Sequence, residues 1–245
     1  MLENTFIHLP GHGPNRERKL WEHGIKTWDD YLENFAQSRY HNEYCKRVAS
    51  SKYALKCNDS GFFADCLPPK ETWRAFPHFD KIAYLDIETT GLGKGTDYIT
   101  VIGLFDGRET KSYVCGQNLE EFQNDIGDYE MVVTFNGAIF DLPFIRREMQ
   151  NIKLPKLHSD LRFVLSSLGV NGGLKKIEQQ FGMEREDDLK GLNGYDAVLL
   201  WKRYKKENDE NALDKLVRYN AADIANLKKL MEWAYKEKKK QRGID

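Results

Sequence analysis

Apolar and polar positions follow two different rhythms along this chain, and the rhythm changes near residue 80. Up to about Phe35 the apolar residues recur at helical spacing. In LPGHGPNRERKLWEHGIKTWDDYL, Leu20, Trp21 and Ile25 share one helical face behind a turn rich in glycine and proline, and a second short helix follows from Trp28 to Phe35. From Gln37 to Phe79 the pattern is weak. Pro68, Pro69, Trp73, Phe76 and Phe79 read as a connecting segment packed on a neighbour. Beyond it, KIAYLDI, DYITVIGLF and TKSYVC read as strands joined by turns short enough for an antiparallel meander. LEEFQNDIG then predicts a helix, MVVTFN a fourth strand, DLPFIRREMQ a helix and KLHSDL a short extended piece. Helices follow from Arg162 to Leu168, Leu174 to Phe181, about Tyr195 to Glu207 and about Asn211 to Lys240. Strands first, then strands alternating with helices, predict an α/β domain with a mixed sheet over residues 79–245, after a helical element and linker over residues 1–78.

Bulk properties add little. A chain of 245 residues can bury one large core and carry a small appendage. With 37 Lys+Arg against 38 Asp+Glu there is no global positive field to mark a nucleic-acid partner, although balanced totals can hide local patches. The N-terminus MLENTFIHLPGHG has neither a basic nor a long apolar segment, and no apolar run approaches the length of a membrane span. The expectation is a soluble, cytoplasmic protein with no membrane partner. Cys45, Cys57, Cys66 and Cys115 lack C-x-x-C pairing and histidines at zinc spacing, so they read as free thiols.

Candidate chemistry begins at KIAYLDIETTGLG. In a strand, Ile82, Tyr84, Asp86 and Glu88 share one side while Ala83, Leu85 and Ile87 share the other. The first half of the strand is apolar on both faces, as in a central strand, so its two acids stand near its end, open to water or a cation. Neighbouring carboxylates repel, and a divalent cation with oxygen ligands relieves that repulsion. A solvated strand end is the other reading of D-x-E alone. In TFNGAIFDLPFI, Asn136-Gly137 closes a strand and Asp141 stands where a helix begins, as a helix cap or as a third ligand. In RYNAADIANL, Tyr219 and Asp223 lie four apart on one helical face, which could equally be a core rim and a solvated acid.

The ordered set Asp86, Glu88, Asp141 and Asp223 resembles the DEDD exonuclease superfamily. Tyr219, four residues before the last aspartate, resembles its tyrosine subclass (DEDDy); the histidine subclass carries a histidine where this chain has Arg218. LDIETTG, TFNGAIFDLPF, HSDLRFVL, GGLKKIEQQFG and YNAADIANL further resemble the YprB-type RNase H-like domain, from Lys81 to Trp233. The resemblance implies an RNase H-like mixed five-stranded sheet, an antiparallel meander plus parallel strands, flanked by helices. It implies two Mg²⁺ or Mn²⁺ ions, with Asp86 bridging both, Glu88 and Asp223 holding the one that carries the attacking water, and Asp141 holding the other. Tyr219 would orient that water. The implied activity is 3′-to-5′ removal of single nucleotides from the 3′ ends of single-stranded nucleic acid, DNA foremost. RNA 3′ ends are the alternative substrate, and a non-catalytic nucleic-acid-binding adaptor is the rival class.

By the same resemblance Thr89, Thr90, Leu92, Asn136 and Phe140 meet the terminal nucleotide, with turn chemistry the competing reading. Gly11 and Gly13 resemble the hairpin of a helix-hairpin-helix element that holds a phosphate, although a plain tight turn explains them equally and little chain precedes them. In GGLKK, Lys175 faces either a phosphate backbone or solvent. Asp160 is read as a helix cap rather than a fifth acid beside His158, Asp187 and Asp188 receive no chemical role, and KEKKKQRG is read as a solvated, fraying helix end. GLGKGT, Gly91 to Thr96, lacks P-loop spacing, which sets nucleotide hydrolysis aside.

Overall fold

The computed structural model describes residues 1–93 and 95–244; Lys94, inside the GLGKGT run, lies outside the described residues, as does Asp245. Five strands form the sheet: β1 (Ile82–Thr89), β2 (Ile99–Phe105), β3 (Thr110–Val114), β4 (Met131–Thr134) and β5 (Leu157–Asp160). Their order is β3-β2-β1-β4-β5, so the strand carrying the first two acids is central. β1 pairs antiparallel with β2 and parallel with β4, and β4 pairs parallel with β5. This is a mixed sheet, an antiparallel meander extended by parallel strands, as the resemblance implies. Because β1 and β4 run parallel, the segments that follow them leave the sheet along the same edge.

Period-2 alternation assigns the faces of β1 as expected. Ile82 and Tyr84 enter one apolar cluster, while Ala83, Leu85 and Ile87 enter another with Leu142, Phe144 and Ile145 of helix α6 (Asp141–Glu148). The first cluster is covered by the long C-terminal helix α10 (Glu210–Gln241), through Ile224, Leu227, Leu230, Met231 and Ala234. α7 (Leu161–Ser166), α8 (Leu174–Gln180) and α9 (Gly194–Glu207) complete the chain between β5 and α10, and α5 (Phe122–Asp125), flanked by 3-10 turns, lies between β3 and β4.

Glycine at position 103 lets α10 come close. Gly103 pairs with Asp86 across β1 and β2, and a Cβ there would lie 2.0 Å from Oδ1 of Asn220 on α10. β2 also carries one extra residue beside the acids: Glu88 faces Val101 whereas Thr89 faces Ile99. Such a bulge re-aims the strand where pairing ends.

Outside the sheet the structure differs from the pattern in three places. α1 (Pro14–Glu22) stops before Ile25, because Gly24 adopts φ +82°. The amide of Ile25 then bonds Leu20 O at 3.0 Å and that of Gly24 bonds Trp21 O at 3.0 Å, a Schellman closure that still buries Ile25. α2 (Trp28–Phe35) starts on a capping box between Thr27 and Asp30. The segment expected as a connector contains α3 (Asn42–Lys56), α4 (Ser60–Cys66) and a 3-10 helix, Pro69–Ala75. α3 is not legible in the residue pattern because its buried face is Cys45, Val48, Ser51 and Ala54, small side chains that barely register as an apolar stripe.

The tail KEKKKQRG is the third difference. It stays helical to Gln241, with Lys238 and Ile244 buried and Arg242 bonded to both oxygens of Glu71 at 2.9 and 3.0 Å. Arg242 is tied down because Glu71 belongs to a buried network, while Lys236 and Lys240 stay exposed. Arg74 donates to Glu71 at 2.6 Å and, through both terminal nitrogens, to Glu17 at 2.7 and 2.8 Å. Glu17 also accepts the amides of Phe6 and Ile7 at 2.8 and 3.2 Å. Among the described residues no helix is long and apolar enough to cross a membrane.

The Arg74 and Glu17 side chains are both fully buried. Glu17→Ala takes away the bidentate partner of the buried guanidinium, leaving it Glu71, and strands the amides of Phe6 and Ile7; it is expected to lower unfolding stability by roughly 3–5 kcal/mol, read as a shift in the urea midpoint.

Candidate active site

The C-terminal end of β1 presents Asp86 and Glu88 to the space beneath α10, and α10 presents Asp223 to them. One carboxylate oxygen from each of Asp86, Glu88 and Asp223 lies within 4.8 Å of the others. Asp141 stands beside this trio. It is the first residue of α6 and not its cap, which is Phe140, and its Oδ1 accepts the amide of Ile87 at 3.1 Å, between the two acids of β1. The capping reading of Asp141 therefore gives way to a side chain that reaches across to the central strand. Asn220, one residue beyond Tyr219, donates to Asp86 Oδ2 at 2.9 Å and to the Asp86 carbonyl at 3.3 Å.

Crowding acids in a buried place raises their pKa values. Burial pushes the Asp86 carboxyl well above the usual range, followed by the charges of Asp141, Asp223 and Glu88, against the hydrogen bond from Asn220. Glu88 is raised by burial and by Asp223, with Lys175 opposing. Asp141 is pushed up to about 7, chiefly by burial. Asp223 is raised by burial, against the nearby guanidinium of Arg185. Burial and then Asp223 hold the Tyr219 phenol far above its ordinary range, so it is neutral.

All four acids and Tyr219 line one cavity of about 580 Å³. Thr89, Thr90, Leu92, Asn136 and Phe140 line it too. The two threonines are also engaged in turn chemistry: Thr89 Oγ1 donates to Gly91 O at 2.7 Å, and Thr90 Oγ1 donates to Asp97 at 2.9 Å. Leu92, 83% exposed, stands as an apolar side chain at the cavity rim. Asn136 takes a left-handed φ of +68°, and a Cβ on Gly137 would lie 2.3 Å from Thr134 Oγ1, so the Asn-Gly pair is what this loop geometry requires.

Asp160 organises that loop. Its carboxylate caps α7 through the Arg162 amide at 3.0 Å, as expected, and also accepts the amides of Asn136 at 2.8 Å and Ala138 at 3.1 Å. His158 bonds Thr134 Oγ1 at 2.8 Å and supports the same loop from β5.

Gly11, Gly13 and Lys175 do not line this cavity. Gly11 and Gly13 form an exposed turn before α1, away from the cavity, with His12 between them buried edge-on against Tyr44 at 4.7 Å. Lys175 turns inward: its ammonium donates to the Tyr219 hydroxyl and to Leu192 O, and lies 4.3 Å from the centre of the Tyr219 ring. Asp188 pairs with Arg218 on the surface, at 2.6 Å.

The sequence reading missed Asn220, Arg185 and the cavity wall formed by Tyr195, Val198 and Lys202 of α9. Asn220 adjoins Tyr219 in YNAAD and could have been suspected. Arg185 comes from an irregular loop with no periodicity to betray it.

A family model described as the RNase_H superfamily matches residues 83–235. Among solved structures, the chain is similar to the family B DNA polymerase of the hyperthermophilic archaeon Pyrobaculum calidifontis, at 17% identity and TM-score 0.49, over 62% of this chain and 24% of that one. The chain thus spans about a quarter of that polymerase's length. A structure described as the apo form of the nuclease is 14% identical with TM-score 0.47, over 72% of this chain and 80% of that one. The EXO domain of Aedes aegypti Nibbler is 11% identical with TM-score 0.38, over 68% and 82%. No curated protein matches the chain.

Two outcomes follow from this geometry. Burial raises the carboxyl pKa values of Asp86 and Glu88 and pushes that of Asp141 up to about 7, so Asp141 holds a proton at pH 6 that a bound cation must displace. Mn²⁺ binding is expected to release protons to the buffer and to tighten as pH rises from 5.5 through 7, measured by titration calorimetry in buffers of different ionisation enthalpy. Gly103→Ala is expected to push Asn220 off Asp86 and cost about 1–3 kcal/mol in stability. Adding Asn220→Ala should recover part of that loss in a double-mutant cycle.

Proposed function

The chain belongs to the RNase H superfamily, and from that premise we propose that it is a metal-dependent 3′-to-5′ exonuclease of the DEDDy type, acting on the 3′ ends of single-stranded nucleic acid, DNA foremost. One observation carries this reading: three carboxylate oxygens from Asp86, Glu88 and Asp223 converge within 4.8 Å, with Asp141 beside them and Tyr219 on the same wall. The donor set fits Mg²⁺ or Mn²⁺, being all hard oxygen, and its carboxyls carry raised pKa values that a divalent charge would reverse. Asp86, Glu88 and Asp223 would hold such ions, with Asp141 completing the set. When bound, they supply Lewis-acid stabilisation of the phosphoryl oxygens and a water acidic enough to attack at neutral pH.

The chain's own side chains do the positioning. The neutral Tyr219 hydroxyl, fixed by the Lys175 ammonium, keeps its proton and so can orient the attacking water by hydrogen bonding. Asn220 donates to the Asp86 carboxylate and helps hold it in place. Leu92 at the rim offers an apolar surface on which a terminal base can rest, while Asn136 and Phe140 sit across the same cavity. Polarity and preference for single strands come from the motif resemblance. In this reading residues 1–78 form an appendage that buttresses the catalytic domain of residues 79–245 through their shared core.

With Mn²⁺ or Mg²⁺, 5′-labelled oligonucleotides are expected to give a descending ladder that EDTA and Asp86→Ala abolish. Tyr219→Phe should lower kcat by on the order of 10²-fold with KM little changed. Matched DNA and RNA strands in the same assay rank the two substrates. Metal binding and strand binding with no ladder on either would instead support the adaptor class.

A further inference from the structure

Asp223 shares a cation with a second buried acid. Nη2 of Arg185 donates to Asp223 Oδ1 and to both oxygens of Glu178, at 2.8 and 2.6 Å, while Nε reaches Glu178 Oε2 at 2.9 Å. Glu178 Oε1 also accepts from Asn226 Nδ2 at 3.0 Å, one turn along α10 from Asp223. The side chains of Arg185, Glu178 and Asp223 are only 8, 3 and 9% exposed, so water screens this triad poorly. Nη1 of Arg185 has no hydrogen-bond partner among the described residues. The guanidinium is therefore held by two carboxylates along one edge, and Asp223 receives only part of its charge.

We propose that Arg185 is a resident counter-ion of Asp223 that competes with a divalent cation for that carboxylate, and that Glu178 sets how much of the arginine's charge Asp223 receives. The inference rests on reading the acid set as a metal site. It makes Arg185 and Glu178 positioning residues that tune cation affinity, since neither lines the cavity. Taking away the arginine charge leaves Asp223 and Glu178 both uncompensated and deepens the negative potential at the acids. Taking away the Glu178 charge gives the whole guanidinium to Asp223 and makes the site less negative. The two changes act in opposite directions on cation binding. A purely structural role for the triad makes both changes loosen Asp223 and act in the same direction.

The test is calorimetric titration of the full chain with Mn²⁺ at fixed pH and ionic strength. Arg185→Gln is expected to tighten binding by about tenfold and Glu178→Gln to weaken it by about tenfold, with Arg185→Lys close to wild type. Thermal melts in EDTA and in Mn²⁺ accompany each titration, and Arg185→Gln should gain more from Mn²⁺ than wild type does. Weaker binding in both Gln variants, or no change in either, overturns the inference while leaving the metal reading intact. If Arg185→Gln does not fold under either condition, Glu178→Gln and Arg185→Lys decide: unchanged or tighter binding in the first, or a large loss in the second, overturns it. Absence of Mn²⁺ binding in every protein, wild type included, overturns the metal reading and this inference with it.

Discussion

Mutual repulsion among carboxylates at the end of the central strand is the constraint around which this fold is arranged. Asp86 and Glu88 share one face of β1, and Asp141 and Asp223 are brought to them by two helices on opposite sides of the sheet. Four acids so placed are a liability to a protein with nothing to offset them. The surrounding structure supplies donors one by one: Asn220 to Asp86, the Ile87 amide to Asp141, and Arg185 to Asp223. Lys175 adds a positive charge near Glu88 while bonding Tyr219.

Holding these groups in register requires α10 to lie tightly on the sheet. Gly103 makes that possible directly opposite Asp86, and the helix is long enough, at 32 residues, to serve two ends of the molecule. Its first half carries Tyr219, Asn220 and Asp223. Its far end meets the N-terminal region, where the α-amino group of Met1 bonds the Tyr235 hydroxyl at 3.1 Å and Arg242 bonds Glu71. The buried pair of Arg74 and Glu17 links that junction to the turn before α1. The helical N-terminal region thus fixes the distal end of the helix that delivers the last acid.

Much of this was readable from the chain. The first four strands, the helices after β3 and the two faces of β1 follow from periodicities of 2 and 3.6, while β5 was visible only as a short extended piece. The four acids and Tyr219, each ambiguous by spacing alone, stood out through the resemblance of their ordered set to the DEDD superfamily: D-x-E on one strand face, an acid after Asn-Gly, and a tyrosine one helical turn before an aspartate. α3 was hidden because its buried stripe is made of Cys, Ser, Val and Ala, and the charged tail was misjudged because charge alone says nothing about what it meets.

Sequence by itself determined which acids exist, on which face of which element each stands, and therefore that they could meet. Only the tertiary structure decided that Asp141 leans on β1 instead of capping its helix, that Lys175 turns toward Tyr219 and not toward solvent, and that Arg185 divides itself between Asp223 and Glu178. The reason is physical. Backbone periodicity is written in neighbouring residues, whereas the partner of a buried charge is whichever opposite group the packing of distant segments brings within hydrogen-bond reach, and that distance is not encoded in any local spacing.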